Sequence, residues 1–172
     1  ARIVQAGSLP PLVFLLKSSS DTVQQLAAGV LRSLASNIIN QHKIVQENAL
    51  QPLFALCQSP KMAVVEQALG CLQKLSVSHE NALYMVQQGG LSVLVGCLRT
   101  EETNIQTLAV GIVRNMCSYE DVCDGVVSGN GITNLVSILI GSNKAAHEHA
   151  VVSLQSITNN NNHRPRVCQE GA

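Results

Sequence analysis

The sequence predicts an all-α protein built as a solenoid of about four repeated units. The stretch Gln25–Asn37 (QLAAGVLRSLASN) recurs with the same apolar positions each time the sequence is displaced by 41 residues, without a gap. Apolar residues three and four positions apart mark one face of a helix, and a recurrence of this length is typical of helical solenoids. Hydrophobic residues make up 46% of the chain, but aromatic residues only 2%, and there is no Trp. Such a composition favours a thin, continuous core of aliphatic contacts between stacked helices.

Four columns of residues define this recurring helix, which is the third and longest helix of each unit. They are Ala27, Ala68, Ala109 and Ala150; Gly29, Gly70 and Gly111 with Val152; Leu31, Leu72, Val113 and Leu154; and Leu34, Leu75, Met116 and Ile157. An alanine that recurs within an apolar stripe indicates that a neighbouring helix crosses closely. We therefore expect the third helices of neighbouring units to pack on one another.

Each three-helix unit is predicted to contain a short first helix, which is followed by a turn. In the repeat boundaries given below, this helix lies at the C-terminal end of each numbered repeat. Its last residues are seen in residues 1–6 and again at Lys43–Glu47, Tyr84–Gln88 and Arg166–Glu170. A small or turn-forming residue follows in register, at Gly7, Asn48, Gly89, Asn130 and Gly171. Gly and Asn adopt the left-handed backbone conformation most easily, so this column predicts a sharp turn at the end of the first helix.

The second helix follows each of these turns. It is predicted at Leu9–Leu16, Leu50–Cys57, Leu91–Leu98 and Ile132–Leu139. Prolines near its start lie in the first turn, where a missing backbone donor costs little. Polar connectors then lead into the third helix, at Lys17–Asp21, Gln58–Lys61, Arg99–Thr103 and Ile140–Asn143. Loops before the next first helix are predicted near Asn37–Asn40, Ser78–Asn81, Tyr119–Val122 and Asn159–His163.

The predicted domain organisation is a single solenoid over residues 1–172. Residues 1–6 would be the end of a partial repeat, and the repeats would cover about 7–47, 48–88, 89–129 and 130–170. Apolar residues at both ends lack the polar outer face that terminal repeats normally carry. We therefore expect the chain to be a fragment of a longer array.

Charge and hydropathy exclude several classes of function. The 11 basic and 11 acidic residues cancel and form no block of one sign, so nucleic-acid binding gets no electrostatic support. No apolar run is long enough to cross a bilayer, and we expect no direct membrane insertion. No signal peptide or lipidation motif is seen. These features predict a cytoplasmic protein that also enters the nucleus.

No catalytic, metal or cofactor site is predicted. The six cysteines lack zinc-ligand spacing and most fall in apolar columns, which indicates small buried thiols in a reducing compartment. His147 and His149 are two residues apart, so they do not share a helix face as metal ligands would. His149 instead aligns with Leu26, Gln67 and Leu108, which predicts a half-buried structural histidine. We therefore expect a protein that is not an enzyme and needs no cofactor.

The three-helix unit resembles the armadillo repeat. The resemblance rests on a first helix that ends in a Gly turn, followed by an LxxLVxLL helix and an AAGxLxxL helix, as in Gly7–Leu16 joined to Ala27–Ala35. It extends over the whole chain and implies a right-handed superhelical solenoid. The Gly column looks most like catenin-type and vacuolar-type armadillo proteins. HEAT repeats are the structural alternative, but the Gly turn and the short first helix favour armadillo.

In armadillo proteins the third helices line a concave groove that binds an extended peptide, and a row of Asn holds the peptide backbone. Only Asn115 matches that row here, where the other units have Ser33, Lys74 and Ser156. Gly replaces the Trp of nuclear-import adaptors, so binding of basic import signals is not expected. The resemblance assigns the following residues to the groove: Arg32, Ser33, Glu66, Gly70, Lys74, Gly111, Arg114, Asn115 and Ser118.

The predicted ligand is an extended protein segment centred on Asn115, with Lys74 and Arg114 beside it. These cations favour acidic or phosphorylated residues in the ligand. Gly70 and Gly111 are expected to form a floor of small residues that contacts the ligand side chains. The sequence therefore predicts a scaffold or adaptor for protein partners. The alternative is a regulatory armadillo segment of a larger, enzymatic protein, and nothing within these residues separates the two.

Overall fold

The structure is a computed structural model, and it describes Val4 and residues 7–170. Twelve helices have both ends within residues 7–170, and the described residues contain no strand. The predicted all-α fold class is therefore confirmed. Contacts within the chain divide it into two compact units, Ala1–Asn81 and Ala82–Ala172, each larger than one repeat of the sequence. From here on, the first unit and the second unit are these two parts of the chain.

The first unit contains five complete helices. They are α1 (Leu9–Leu15), α2 (Asp21–Leu34), α3 (Ile38–Gln46), α4 (Leu50–Leu56) and α5 (Met62–Leu75), and α6 (His79–Gln87) begins in this unit and ends in the next. The predicted third helices are the longest of them, whereas the first helix is longer than the second helices rather than shorter. The long helices α2 and α5 are the third helices of the repeats, and they pack against each other. The shorter helices α1 and α4 each pack against the third helix that follows them.

The second unit repeats this arrangement. Its helices are α7 (Gly90–Leu98), α8 (Thr103–Cys117), α9 (Glu120–Ser128), α10 (Gly131–Ile140), α11 (Lys144–Asn159) and α12 (Arg164–Gln169). The third helices α8 and α11 pack against each other, as α2 and α5 do. The Ala column is buried in these helices: Ala68, Ala109 and Ala150 have no exposed surface and Ala27 has 3%. The predicted close crossing of third helices within each unit is thus confirmed.

The turns after the first helices adopt the predicted left-handed conformation. Their φ angles are +75° at Gly7, +59° at Asn48, +82° at Gly89 and +62° at Asn130. The fifth residue of this column, Gly171, lies outside the described residues. Asn48 and Asn130 are the two non-glycine residues with positive φ in the described part of the chain.

The loops before the first helices are shorter than predicted. Helices α3, α6 and α9 begin at Ile38, His79 and Glu120, so only the first residue of each expected loop lies outside a helix. Asn40 explains part of this difference, because its side-chain amide donates to the Leu34 carbonyl at the end of α2, 3.0 Å away. Asn81 makes the same contact with the Leu75 carbonyl. These asparagines lie within the next helix and cap the end of the preceding one, although both fall in stretches predicted as loops.

Five of the six cysteines are buried, as predicted: Cys57, Cys71, Cys97, Cys117 and Cys123. The prediction is wrong for Cys168, which is exposed. Val127, which precedes it by one repeat, is 3% exposed and is followed by α10. No helix follows α12 within the described residues, so Cys168 has no such cover.

The described residues contain no single helix that is long and apolar enough to cross a membrane. One pair, α9 and α10, reaches the required length and apolarity only together, and it is bent by 78° at its junction.

Candidate functional site

The predicted groove residues of the first unit lie on the paired third helices α2 and α5. Ser33 and Lys74 are exposed, while Arg32 and Glu66 are half-buried. Gly70 is buried, and an ideal Cβ placed on it would come within 2.5 Å of the Arg32 Nε. The guanidinium of Arg32 therefore lies over the backbone of α5 at Gly70.

This position of Arg32 changes the role expected for Gly70. The Arg32 Nη1 also donates to the Gln67 Oε1, 3.4 Å away, which extends the side chain from one third helix to the next. Gly111, in the second unit, is buried as well. Both glycines are buried, so the floor of small residues that the sequence predicts has little exposed surface of its own. Of the predicted groove residues in the first unit, Ser33 and Lys74 are exposed, and Arg32 and Glu66 are half-buried.

The second unit has a similar arginine contact with a different partner, because Arg114 occupies the position that Arg32 has in the first unit. Its Nη1 lies 3.5 Å from Nδ1 of His149, a residue that the sequence predicted as half-buried and that the structure confirms as such. Val152 stands where the first unit has Gly70. Ser118 is exposed and Asn115 is half-buried on the same helix.

The cations of these surfaces are not neutralised within the protein. Among the described residues, no carboxylate forms an ion pair with Arg32, Lys74 or Arg114; the ion pairs found involve His42, His163 and Arg166 instead. The hydrogen-bond partners Gln67 and His149 orient the two guanidinium groups. A guanidinium without a carboxylate partner keeps donors for a second, anionic group.

Each unit has a depression on its third helices. In the first unit it measures about 430 Å³ and is lined by Gln25, Leu26, Gly29, Val30, Ser33, Leu34 and Gln67. In the second unit it measures about 250 Å³ and is lined by Cys117, Ser118, Glu120, Cys123, Ser156, Asn159 and Asn160. Ser33 and Ser118, which the sequence assigned to the groove, each line one of them.

The arginine partners were missed by the sequence reasoning. A signal was present, because Gln67 and His149 each follow an arginine by 35 residues and belong to the same column. On the second helices a different arginine makes a contact of the same spacing, from Arg99 Nε to Asn134 Oδ1 at 3.0 Å. The recurrence was visible, but the residue that each arginine reaches depends on how the helices are packed.

The described residues contain no group of three or more His, Cys, Asp or Glu side chains placed to hold a metal ion. His147 and His149 are not brought together with a common ligand. The His147 Nε2 lies 3.0 Å from the Gly141 carbonyl oxygen, whereas His149 faces Arg114.

Comparisons with solved structures agree with this fold. A computationally designed armadillo repeat protein for modular peptide recognition has a TM-score of 0.95 at 23% identity, covering 99% of this chain and 74% of that one. A designed armadillo repeat protein in complex with the peptide (KR)4 also has a TM-score of 0.95, at 24% identity, covering 99% and 73%. An engineered protein matches with a TM-score of 0.93 at 26% identity, covering 98% of this chain and 42% of that one.

Two further comparisons use the amino-acid sequence alone. A search of curated proteins gave no match. The sequence pattern of the Armadillo/beta-catenin-like repeat family matches residues 1–36, 39–77 and 78–118, which is more than half of the chain. The chain belongs to the armadillo repeat family.

Proposed function

We propose that the protein is a scaffold that binds extended segments of other proteins on the faces of its third helices. The observation that carries this proposal is the repeated pair of unneutralised arginines, Arg32 on Gln67 and Arg114 on His149. Cations at the surface that no carboxylate of the described residues neutralises favour a polar, anionic ligand rather than an apolar one. The likeness to designed armadillo repeat proteins made for modular peptide recognition supports the same proposal.

The ligand chemistry that we propose is acidic or phosphorylated. Each arginine offers several N–H donors in one plane, and carboxylate and phosphate groups accept two such bonds in parallel. Lys74 adds a third positive charge, while Glu66 is the one acidic residue among the predicted groove positions. The designed relative bound to (KR)4 takes a basic peptide. The predominance of Arg and Lys at the groove positions here favours the opposite sign.

We propose that Asn115 binds the backbone of the ligand. An Asn side chain has a donor and an acceptor, so it can pair with both polar groups of one extended peptide unit. With one Asn where armadillo proteins have a row, backbone clamping is weak and the charges provide most of the specificity. We place this scaffold in the cytoplasm and nucleus, where a reducing environment keeps the described cysteines as free thiols.

The test is a binding titration with synthetic ten-residue peptides that differ only in charge: a glutamate-rich peptide, a phosphoserine peptide and a lysine-rich peptide. We expect the first two to bind and the lysine-rich peptide not to bind, and we expect binding to weaken as salt is added. Arg32→Glu and Arg114→Glu should each weaken binding of the acidic peptide by about two- to tenfold, because each reverses one partly exposed ion pair.

Arg99→Glu is the matched control, since Arg99 is an arginine of the second unit that follows the last residue of α7 and donates to Asn134 in α10. It should change the affinity little. If Arg99→Glu weakens binding as much as Arg114→Glu does, or if the lysine-rich peptide binds as well as the acidic ones, the proposal is wrong.

A further inference from the structure

Two thiols lie together in the second unit, away from the arginine contacts on which the proposed function depends. Cys117 is the last residue of α8, and Cys123 lies in the following helix α9, with residues 118–122 between them. Their side chains share a hydrogen bond, and each residue is 4% exposed. A pair of neighbouring thiols is capable of chemistry that a single buried thiol is not.

Small molecules can reach this pair from the surface. Both cysteines line the depression of about 250 Å³ between the ends of α8 and α11. The other residues of its wall are polar, and include Ser118, Glu120 and Asn160. A polar depression of this size has room for a molecule somewhat larger than water. Both residues therefore border an open depression, although little of either one is exposed.

The surroundings of the two thiols shift their pKa values in opposite directions. The hydrogen bond from Cys117 lowers the pKa of Cys123, against the opposing effects of burial and of the Asp124 and Glu120 charges. The same hydrogen bond, together with burial, raises the pKa of Cys117. Because the thiolate is the nucleophile, Cys123 is the sulfur that reacts first and Cys117 is the second sulfur.

The other cysteines provide a contrast within the same protein. Cys71 is fully buried, and burial raises its pKa to about 12, although the nearby Arg32 charge acts in the opposite direction. Cys168 is exposed but has no partner thiol among the described residues. Cys117 and Cys123, in contrast, each have a thiol as hydrogen-bonded neighbour and line a surface depression.

We propose that Cys117 and Cys123 are a redox pair that a hydroperoxide converts into an intramolecular disulfide. The Cys123 thiolate attacks one peroxide oxygen, the O–O bond breaks, and the leaving oxygen takes up a proton. Cys123 is then a sulfenic acid. The Cys117 sulfur attacks the sulfenic sulfur, the S–S bond forms, and the S–O bond breaks. The hydroxyl group leaves as water with the Cys117 proton, so two thiols are oxidised and one hydroperoxide is reduced.

The chain is well suited to a direct test, because cleavage after Lys and Arg leaves both residues on one peptide, 115–144, and each other cysteine on a different peptide. The reduced protein is treated with hydrogen peroxide, denatured, alkylated with a maleimide and digested. We expect peptide 115–144 to lose two hydrogens and both maleimide adducts, while the Cys71 peptide stays fully alkylated. Addition of a dithiol reductant should restore both adducts.

Two variants test the order of the steps. In Cys117→Ser, the sulfenic acid of Cys123 cannot be resolved, so a dimedone adduct should accumulate on it. In Cys123→Ser, the remaining Cys117 should be labelled about tenfold less, because its thiol stays protonated. The wild-type digest does not depend on whether either variant folds.

The proposal is overturned if peroxide leaves both thiols of peptide 115–144 alkylatable while the lone Cys168 is oxidised. It is also overturned if these thiols proceed to sulfinic or sulfonic acid without a disulfide, since a resolving thiol in place would intercept the sulfenic acid first.

Discussion

Arg32 and Arg114 occupy the same position in two repeats, but they rest on different surfaces. Arg32 lies over a glycine, and an ideal Cβ at Gly70 would come within 2.5 Å of its Nε. Arg114 has Val152 at the corresponding position, and its guanidinium reaches His149. The missing side chain at Gly70 therefore leaves space for the flexible Arg32 of the preceding repeat rather than for a ligand.

Two glycines allow us to test whether a close contact with a flexible side chain costs less than one with the backbone. At Gly131 an ideal Cβ would lie 2.6 Å from the Val126 backbone carbonyl oxygen, which cannot move without shifting α9. We predict that Gly131→Ala lowers the free energy of unfolding by about 1–3 kcal/mol, as overpacking of a core does. Gly70→Ala should be nearly neutral, because Arg32 can turn away and Ala favours the helix by about 1 kcal/mol.

Urea unfolding of both variants measures this difference. Two equal losses of stability would contradict it, because the Arg32 side chain would then be as immovable as a backbone carbonyl. Peptide binding provides a second measurement, since Gly70→Ala should displace Arg32 and weaken the acidic ligand without loss of fold.

At the scale of single elements, the turn after each first helix is the most sharply defined feature. Two of these turns use Asn rather than Gly, with φ of +59° at Asn48 and +62° at Asn130. A left-handed residue with a Cβ is strained by about 1–2 kcal/mol, and Asn tolerates this conformation better than other side chains because its short polar group can hydrogen-bond locally.

We predict that Asn130→Ala lowers the free energy of unfolding by about 1 kcal/mol, while Asn130→Gly leaves it within a few tenths. The comparison can be repeated at Asn48 in the first unit. Both sites are exposed, so no packing change obscures the backbone effect. A variant Asn130→Ala as stable as Asn130→Gly would show that the left-handed turn is not strained.

The elements differ in how far the sequence predicts them. The third helices were predicted in full because an amphipathic stripe repeated four times is a strong signal. The left-handed turns were predicted because Gly and Asn share a physical reason to be there. The starts of the first helices were missed because the predicted loops extended as far as Asn40 and Asn81. Their side chains instead cap a neighbouring helix, a role that depends on tertiary geometry.

The site was predicted less completely than the fold, for a related reason. A helical wheel gives the face on which Arg32 lies, but it does not give the residue that the side chain reaches. Gly70 and Gly111 were therefore interpreted as open surface, although both are buried. Contacts between repeats need the distance between helices, which the period of the sequence does not contain.

At the scale of the whole molecule, the buried thiols make stability depend on alkaline pH. Burial raises the pKa of Cys71 from 9.0 to about 12. The unfolded state therefore releases this proton at lower pH than the folded state does, so the contribution is intact below about pH 9 and is lost as the pH rises toward 12.

We predict that the free energy of unfolding falls between these pH values, by at most about 1.4 kcal/mol per pH unit for this one thiol. Cys71→Ala should reduce the slope, whereas Cys168→Ala, at an exposed position, should retain it. Urea titrations at several alkaline pH values provide the measurement. An unchanged slope in Cys71→Ala would mean that this thiol ionises as easily in the folded state as in the unfolded one.

The constant spacing of the contacts between repeats also bears on how the chain finds its structure. The side-chain hydrogen bonds Arg32–Gln67, Arg99–Asn134 and Arg114–His149 all join residues 35 positions apart. The entropy lost in closing a loop grows only with the logarithm of its length, and here each new repeat closes a loop of the same modest length as the one before. Folding within a unit therefore needs no search for distant partners: a nucleus of two packed third helices can grow by one repeat at a time, at a rate set by local encounters.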